Sequence, residues 1–246
     1  QITFVGVGAL AYVKLDQPNL VGVLLAGLVA AGVGALVALP VIRLTGLYLA
    51  LATLAFAVIM DKMIFQADFA FGFNGSLNAE RLSILTFQVE TTGAYVWVMA
   101  LFFVVMGLGL LVVRAGPLGR MLVALRDSPA ACGTLGLDQR WFRVGLFAVS
   151  AGMAGVAGAL YAGLRGTVGA AEFQFFGSFT LLLMAVVFGV TSVTGAALGG
   201  IGLMMLPVLQ ADYPGIAGLF FVVIAVGAIL AAFFIAIFPG NIAQYV

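Results

Sequence analysis

Residues 114–143 read RAGPLGRMLVALRDSPAACGTLGLDQRWFR and carry half of the chain's ten lysines and arginines. Two uncharged apolar stretches flank this segment, at residues 94–113 and 144–164. A basic segment between two apolar stretches is typical of a cytoplasmic loop of a membrane protein, because positive charge is retained on that side of the bilayer. The arrangement predicts an all-α fold, in which helices cross a membrane and short polar connections join them.

The interior of this segment predicts a short docking helix. Gly116-Pro117 would end the preceding span, Ser128 is a suitable N-cap, and Pro129 favours the first helical position. Residues 130–135 would form the helix, and Gly136 would end it. Such a short helix outside the bilayer needs another protein surface to rest on. The loop is therefore predicted to bind a partner.

The composition indicates a polytopic membrane protein. Of 246 residues, 64% are hydrophobic and 8% are charged, and the mean hydropathy is +1.26. A soluble domain of this length would expose far more charge. The net charge of +1 gives no basis for binding nucleic acid.

Several kinds of site are excluded by residues that the sequence lacks. It contains no histidine, which removes histidine catalysis and most transition-metal sites. Cys132 is the only cysteine, so no intrachain disulfide is possible and a reduced thiol is expected. There is no phosphate-binding loop of the GxxxxGK[ST] type and no nucleophile elbow. No catalytic residue, metal site or cofactor is therefore predicted in this chain.

The spans follow from the length of each uncharged stretch, since a crossing helix needs about 20 residues. Residues 2–13 are too short and predict either half of a helix or a re-entrant segment. The stretch 177–211 is too long for one helix and divides at residues 189–195, GVTSVTG. Full spans are predicted at residues 20–42, 47–65, 94–113, 144–164 and 216–238.

The break at residues 189–195 has two interpretations. Two half-length helices can meet at a polar, glycine-bounded break if the break is buried in protein or lines a cavity. The alternative is two ordinary spans joined by a short turn. Under the first interpretation, the candidate residues of a translocation path are Thr191, Ser192, Thr194 and Gly195.

Charge sets the orientation. With residues 114–143 in the cytoplasm, the inner side carries six arginines against Asp127 and Asp138. The outer side carries four basic residues against seven acids, and residues 66–93 form an extracytoplasmic loop. The positive-inside rule and the alternation of spans agree. Asp61 and Lys62 are either an ion pair lining a path or side chains that extend to the outer interface.

Small residues recur every fourth position in two spans. In lipid, such stripes allow helix backbones to approach closely, because apolar burial there gives little driving force. Close packing is the simpler interpretation, and sliding of the helices in an alternating-access gate is a possible addition. The predicted packing residues are Gly22, Ala26, Ala30 and Gly34 in one span and Ala151, Gly155, Ala159 and Gly163 in the other.

Four motifs in order resemble those of branched-chain amino-acid ABC importer permeases. They are QITFVGVGAL at residues 1–10, LPVIRLTGLYLALATLAF at 39–56, GRMLVALRDSPAACGTLGLD at 119–138 and FAVSAGMAGVAGALYA at 147–162. The resemblance covers nearly the whole chain. It implies a single permease domain over residues 1–246 and an N-terminal truncation of roughly two helices.

The resemblance also implies an assembly in a bacterial or archaeal cytoplasmic (inner) membrane. A second permease subunit would pair with this chain, and an extracytoplasmic solute-binding protein would deliver the solute. Two cytoplasmic ABC ATPase subunits would bind ATP and Mg²⁺ and dock on the coupling loop. The residues that the resemblance assigns to this coupling are Arg126, Asp127, Ser128, Pro129, Ala130, Ala131, Leu135, Gly136 and Leu137.

The predicted solute is a branched-chain or related amino acid. Residues 188–195 and 71–75 depart from the family's glycine-rich patterns, which leaves urea or a short amide as an alternative solute. A stand-alone secondary transporter is an alternative from another class. It would need sites for a coupling ion, and the near absence of acids within the spans argues against it.

Overall fold

The structure is a computed structural model that describes residues 1–41, 43–44, 47–72, 75–84, 87–88, 91–128, 132–133, 139–189 and 192–212. Its apolar helices form an all-α, polytopic membrane fold, as the composition predicts. Two units are distinguished, Gln1–Phe175 and Phe176–Val246. Four helices among the described residues are long and apolar enough to cross a membrane: Leu20–Val41, Leu47–Ile64, Thr92–Ala115 and Arg140–Arg165.

The first unit consists mainly of helices. Their bounds are α1 Ile2–Leu15, α2 Leu20–Val41, α3 Leu47–Ile59, α4 Asp68–Phe71, α5 Thr92–Ala115, α6 Pro117–Asp127 and α7 Gln139–Arg165. A π-helical turn, Met60–Ile64, continues α3, and a 3₁₀ turn, Ala170–Phe173, follows α7. The predicted spans at 20–42, 47–65, 94–113 and 144–164 each coincide with one long helix.

The core of the first unit is built around α7. Helix α2 packs along one side of α7 and α1 along another, and α1 and α2 also contact each other. Helix α1 is about 21 Å long at 1.5 Å per residue, which is short of the roughly 30 Å of a bilayer core. In contrast, α3 buries none of its residues, and α5 buries only Tyr95 and Gly107. Within the described part of the chain, these two spans leave most of their apolar surface uncovered.

The polar stretch predicted as a loop at residues 66–93 contains paired strands. Strand β1, Ser76–Asn78, pairs antiparallel with β4, Thr167–Gly169, with Leu77 opposite Val168. Strands β2, Ser83–Ile84, and β3, Phe87–Gln88, form a second antiparallel pair. The β1–β4 pairing joins this stretch to the end of α7. Backbone groups that a free loop would leave to water are therefore bonded within the protein.

Asp61 and Lys62 form an ion pair, with 3.4 Å between Lys62 Nζ and Asp61 Oδ2. The Asp61 side chain is 3% exposed, whereas that of Lys62 is 55% exposed. Of the two predicted side chains, only the lysine extends outward. The carboxylate is buried because the π-helical turn at Met60–Ile64 lies against the core that contains Phe65.

The segment 114–143 is more helical than predicted. Helix α5 continues to Ala115, and α6 begins two residues later, after Gly116. Helix α7 begins at Gln139 instead of residue 144, so Arg140 and Arg143 belong to its first turns. Residues 139–143 contain no glycine or proline, so nothing in them prevents the helix from beginning before residue 144.

The second unit contains α8, Phe176–Phe188, and α9, Val193–Asp212, which pack against each other. Met184 is buried at their contact, with Phe188 and Leu203 packed beside it. The predicted division of residues 177–211 is observed, since one helix ends at residue 188 and the next begins at 193. The predicted span at 216–238 lies outside the described residues.

Candidate functional site

The two predicted small-residue stripes face each other across the contact of α2 and α7. A Cβ atom built on Gly155 would overlap Ala30 Cβ, and one built on Gly34 would overlap Ala151 Cβ. A Cβ on Gly27 would lie 2.6 Å from Val156 Cγ2. Any larger residue at these positions would have to separate the helices.

The central residues of the stripes are buried. Ala26, Ala30 and Ala159 are fully buried, and Ala151 is 1% exposed. Gly155 is approached from two sides, because a Cβ built on Gly8 of α1 would overlap the Gly155 carbonyl. It is therefore a point where α1, α2 and α7 all meet closely.

The two ends of the stripes serve other contacts. A Cβ on Gly22 would overlap the carbonyl of Gln17, in the turn that precedes α2. A Cβ on Gly163 would overlap the hydroxyl of Tyr95, a residue of α5. That hydroxyl donates a hydrogen bond to the Leu160 carbonyl over 3.1 Å. Gly22 thus permits a tight turn, and Gly163 leaves room for a tyrosine.

The contact of α1 with α7 was missed by the sequence reasoning. A Cβ built on Gly158 would overlap the Val5 carbonyl, which makes Gly158 as closely packed as the predicted residues. Gly158 is three residues after Gly155, a spacing that places both on one side of a helix. The sequence did carry a signal, which is a second row of glycines on α7. The contact was missed because its partner, α1, was too short to be classed as a span.

A glycine follows α8, and a capping serine precedes α9. Gly189 has φ 107°, a conformation that favours glycine. Ser192 Oγ accepts a hydrogen bond from the Gly195 amide at 2.9 Å, as an N-cap side chain does. The Thr194 hydroxyl lies 3.4 Å from Ser192 Oγ, and Thr194 is exposed. Of the four predicted path residues, Ser192 therefore caps the start of α9, and Thr191 lies outside the described residues; the translocation path stays a prediction.

Ser128 lies at the boundary between α6 and the predicted docking helix. This residue ends α6, and its amide donates to the Ala124 carbonyl at 2.9 Å. Its carbonyl in turn accepts a hydrogen bond from the Cys132 amide at 3.2 Å, which has the i to i+4 spacing of helical bonds. Cys132 is a free, buried cysteine.

The other predicted coupling residues are only partly described. Asp127 and Ser128 are exposed, and Arg126 lies in the last turn of α6. The remaining residues lie outside the described residues: Pro129, Ala130, Ala131, Leu135, Gly136 and Leu137. The interaction of this segment with a partner stays a prediction.

The chain's match to a known family extends over almost all of its length. The model of a family described as "Branched-chain amino acid transport system / permease component" matches residues 2–237. The chain belongs to this family. The match includes both helical units and the segment from 114 to 143, so the elements described above are those of a permease component.

Two curated relatives are similar to this permease. The high-affinity branched-chain amino acid transport system permease protein LivM of Escherichia coli (strain K12) is 30% identical over 214 residues, covering 77% of this chain and 50% of the relative. The protein of the same name from Salmonella typhimurium is 31% identical over the same shares. The permease thus spans about half the length of the curated relatives it matches. No solved structure matches it.

Proposed function

We propose that this permease is a transmembrane subunit of an ATP-driven ABC importer. It forms the translocation path for branched-chain or related amino acids, which an external binding protein delivers. The observation that carries the proposal is the family match over residues 2–237, together with two relatives named for branched-chain amino acid transport. The protein lies in the cytoplasmic membrane of a bacterium or archaeon.

Surfaces that the described residues leave uncovered support the proposed partners. Helices α3 and α5 expose most of their large apolar side chains, which suits contact with lipid and with a second permease subunit. Two ABC ATPase subunits dock at residues 127–137, a segment in which the Cys132 amide donates to the Ser128 carbonyl. ATP and Mg²⁺ bind to those ATPase subunits, and this chain is non-catalytic. The loop at 66–93 faces the binding protein.

The test is ATP hydrolysis by the assembled transporter in liposomes. The complete chain is co-expressed with the products of its neighbouring genes, and hydrolysis is measured while solutes are added with the binding protein. Stimulation by leucine, isoleucine or valine is expected. Stimulation only by urea or a short amide would keep the class of transporter and change its solute. If no ATPase co-purified, and an ion gradient drove uptake by the chain alone, a secondary transporter would replace the proposal.

The docking segment is tested by Ala131→Glu. A carboxylate forced into a packed interface costs several kcal/mol, so stimulated hydrolysis should fall by about tenfold or more. The matched control is Ala94→Glu in the first turn of α5, where Ala94 is exposed and the helix dipole favours an acid. Full stimulation in the Ala131→Glu variant would contradict docking at this segment.

A further inference from the structure

Helix α6 begins where a membrane span ends. A single residue, Gly116, separates α6 from α5, and its amide bonds back to the Val112 and Val113 carbonyls. A Cβ built on Gly119 would overlap the Arg114 carbonyl, so the first turn of α6 lies against the last turn of α5. Because α5 is a crossing helix, the start of α6 is held at the level where that helix leaves the hydrocarbon.

Helix α6 is amphipathic. At 100° per residue, one face carries Leu118, Met121, Leu122 and Leu125, and Arg120 and Asp127 lie on the opposite face. Leu118 is 48% exposed, and the other three apolar side chains are partly exposed. Within the described part of the chain, none of the four belongs to either hydrophobic core.

The connection that contains this helix is rich in arginine. Arg114 ends α5, Arg120 lies on α6, and Arg140 and Arg143 lie in the first turns of α7; all four are exposed. They belong to the same connection between two spans, so they are on the same side of the membrane. Guanidinium groups pair with phosphate through two parallel hydrogen bonds, which favours anionic headgroups over zwitterionic ones.

We infer that α6 lies along the inner membrane surface and binds acidic phospholipid. The leucine and methionine face enters the acyl-chain boundary, and the four arginines bind the headgroup phosphates. Two observations favour lipid over protein as the occupant: α6 starts one residue after a membrane span, and the described residues of this connection include four exposed arginines and one exposed acid, Asp127. Only the assignment of α6 to the inner side of the membrane rests on the proposed function. Its consequence is that lipid holds α6, and α6 in turn fixes the start of the docking segment at Ser128.

The test measures lipid contact with a fluorescent probe in the assembled transporter. Cys132 is replaced by serine, and single cysteines are introduced by Leu118→Cys or, on another face of α6, by Val123→Cys. The labelled protein is placed in vesicles of phosphatidylcholine and phosphatidylglycerol. In each preparation, one of the two lipids carries brominated chains that quench the probe. We expect the probe at position 118 to be quenched at least about twofold more than the probe at 123, since only the first faces the acyl chains.

The headgroup preference is tested with the same probe. Brominated phosphatidylglycerol should quench the probe at 118 more than brominated phosphatidylcholine does. Arg120→Gln should weaken this preference by about fivefold, the value for one basic residue at an anionic surface. Arg165→Gln is the matched control, because Arg165 ends α7 about 38 Å along that helix from Arg140 and thus lies at the other surface. An equal effect of both variants would contradict the inference.

Two further outcomes separate this inference from the proposed function. If the probe at 118 were shielded from both lipids only when the ATPase subunit is bound, the face would belong to the ATPase and the inference would be wrong. If it were shielded in every preparation, the face would be covered by this chain itself, and the inference would again be wrong. If lipid preference held but no ATPase associated, the proposed function would fail and the lipid site would stand.

Discussion

At the scale of single residues, Gly155 controls the packing of three helices. A Gly155→Ala variant would place a methyl group against Ala30 of α2, and the two backbones would have to separate. We expect a loss of about 1–3 kcal/mol in stability, the usual range for overpacking. Thermal unfolding in detergent, followed by size-exclusion chromatography, measures the change.

Two further variants make this prediction specific. Gly145→Ala is on the same helix, at a glycine with no atom near its missing Cβ, and should leave stability equal or slightly higher because alanine favours helix. Adding Ala30→Gly to Gly155→Ala should restore part of the loss, since it removes the opposing methyl group. A Gly155→Ala protein as stable as the Gly145→Ala protein would contradict the close approach of α2 and α7.

At the scale of one element, the start of α9 depends on a cap at Ser192. Ser192→Ala removes the acceptor of the Gly195 amide and should weaken the first turn of α9 by about 1 kcal/mol, which is about fivefold faster hydrogen exchange at that turn. Thr194→Ala is the control, because the hydroxyl of Thr194 bonds only to Ser192 among the described residues. Equal exchange in both variants would mean that Ser192 is not the cap.

At the scale of the whole molecule, the orientation in the membrane is testable with two matched cysteines. In a Cys132→Ser background, Ser76→Cys introduces an exposed thiol in β1, and Ser128→Cys introduces one at the end of α6. A membrane-impermeant thiol reagent should label position 76 in right-side-out vesicles and position 128 only in inside-out vesicles. Labelling of both positions from one side would contradict the predicted orientation and the cytoplasmic place of α6.

The amino-acid sequence by itself determined the fold class, the existence of each described span and the division at residues 189–195. These features depend on local quantities: the length of an uncharged run, the spacing of small residues, and the glycines that interrupt a helix. The permease family could also be recognised from the sequence, since each of its motifs is a contiguous stretch of the chain.

The tertiary structure decided which surfaces meet. The sequence showed two glycine and alanine stripes, but only the packed helices showed that Gly155 meets α1 as well as α2, and that Gly163 accommodates Tyr95. The pairing of β1 with β4 and the burial of Asp61 also required contacts between distant parts of the chain. Such contacts depend on how helix faces are rotated toward one another. Residue spacing defines those faces, and packing against a particular neighbour decides which of them is buried.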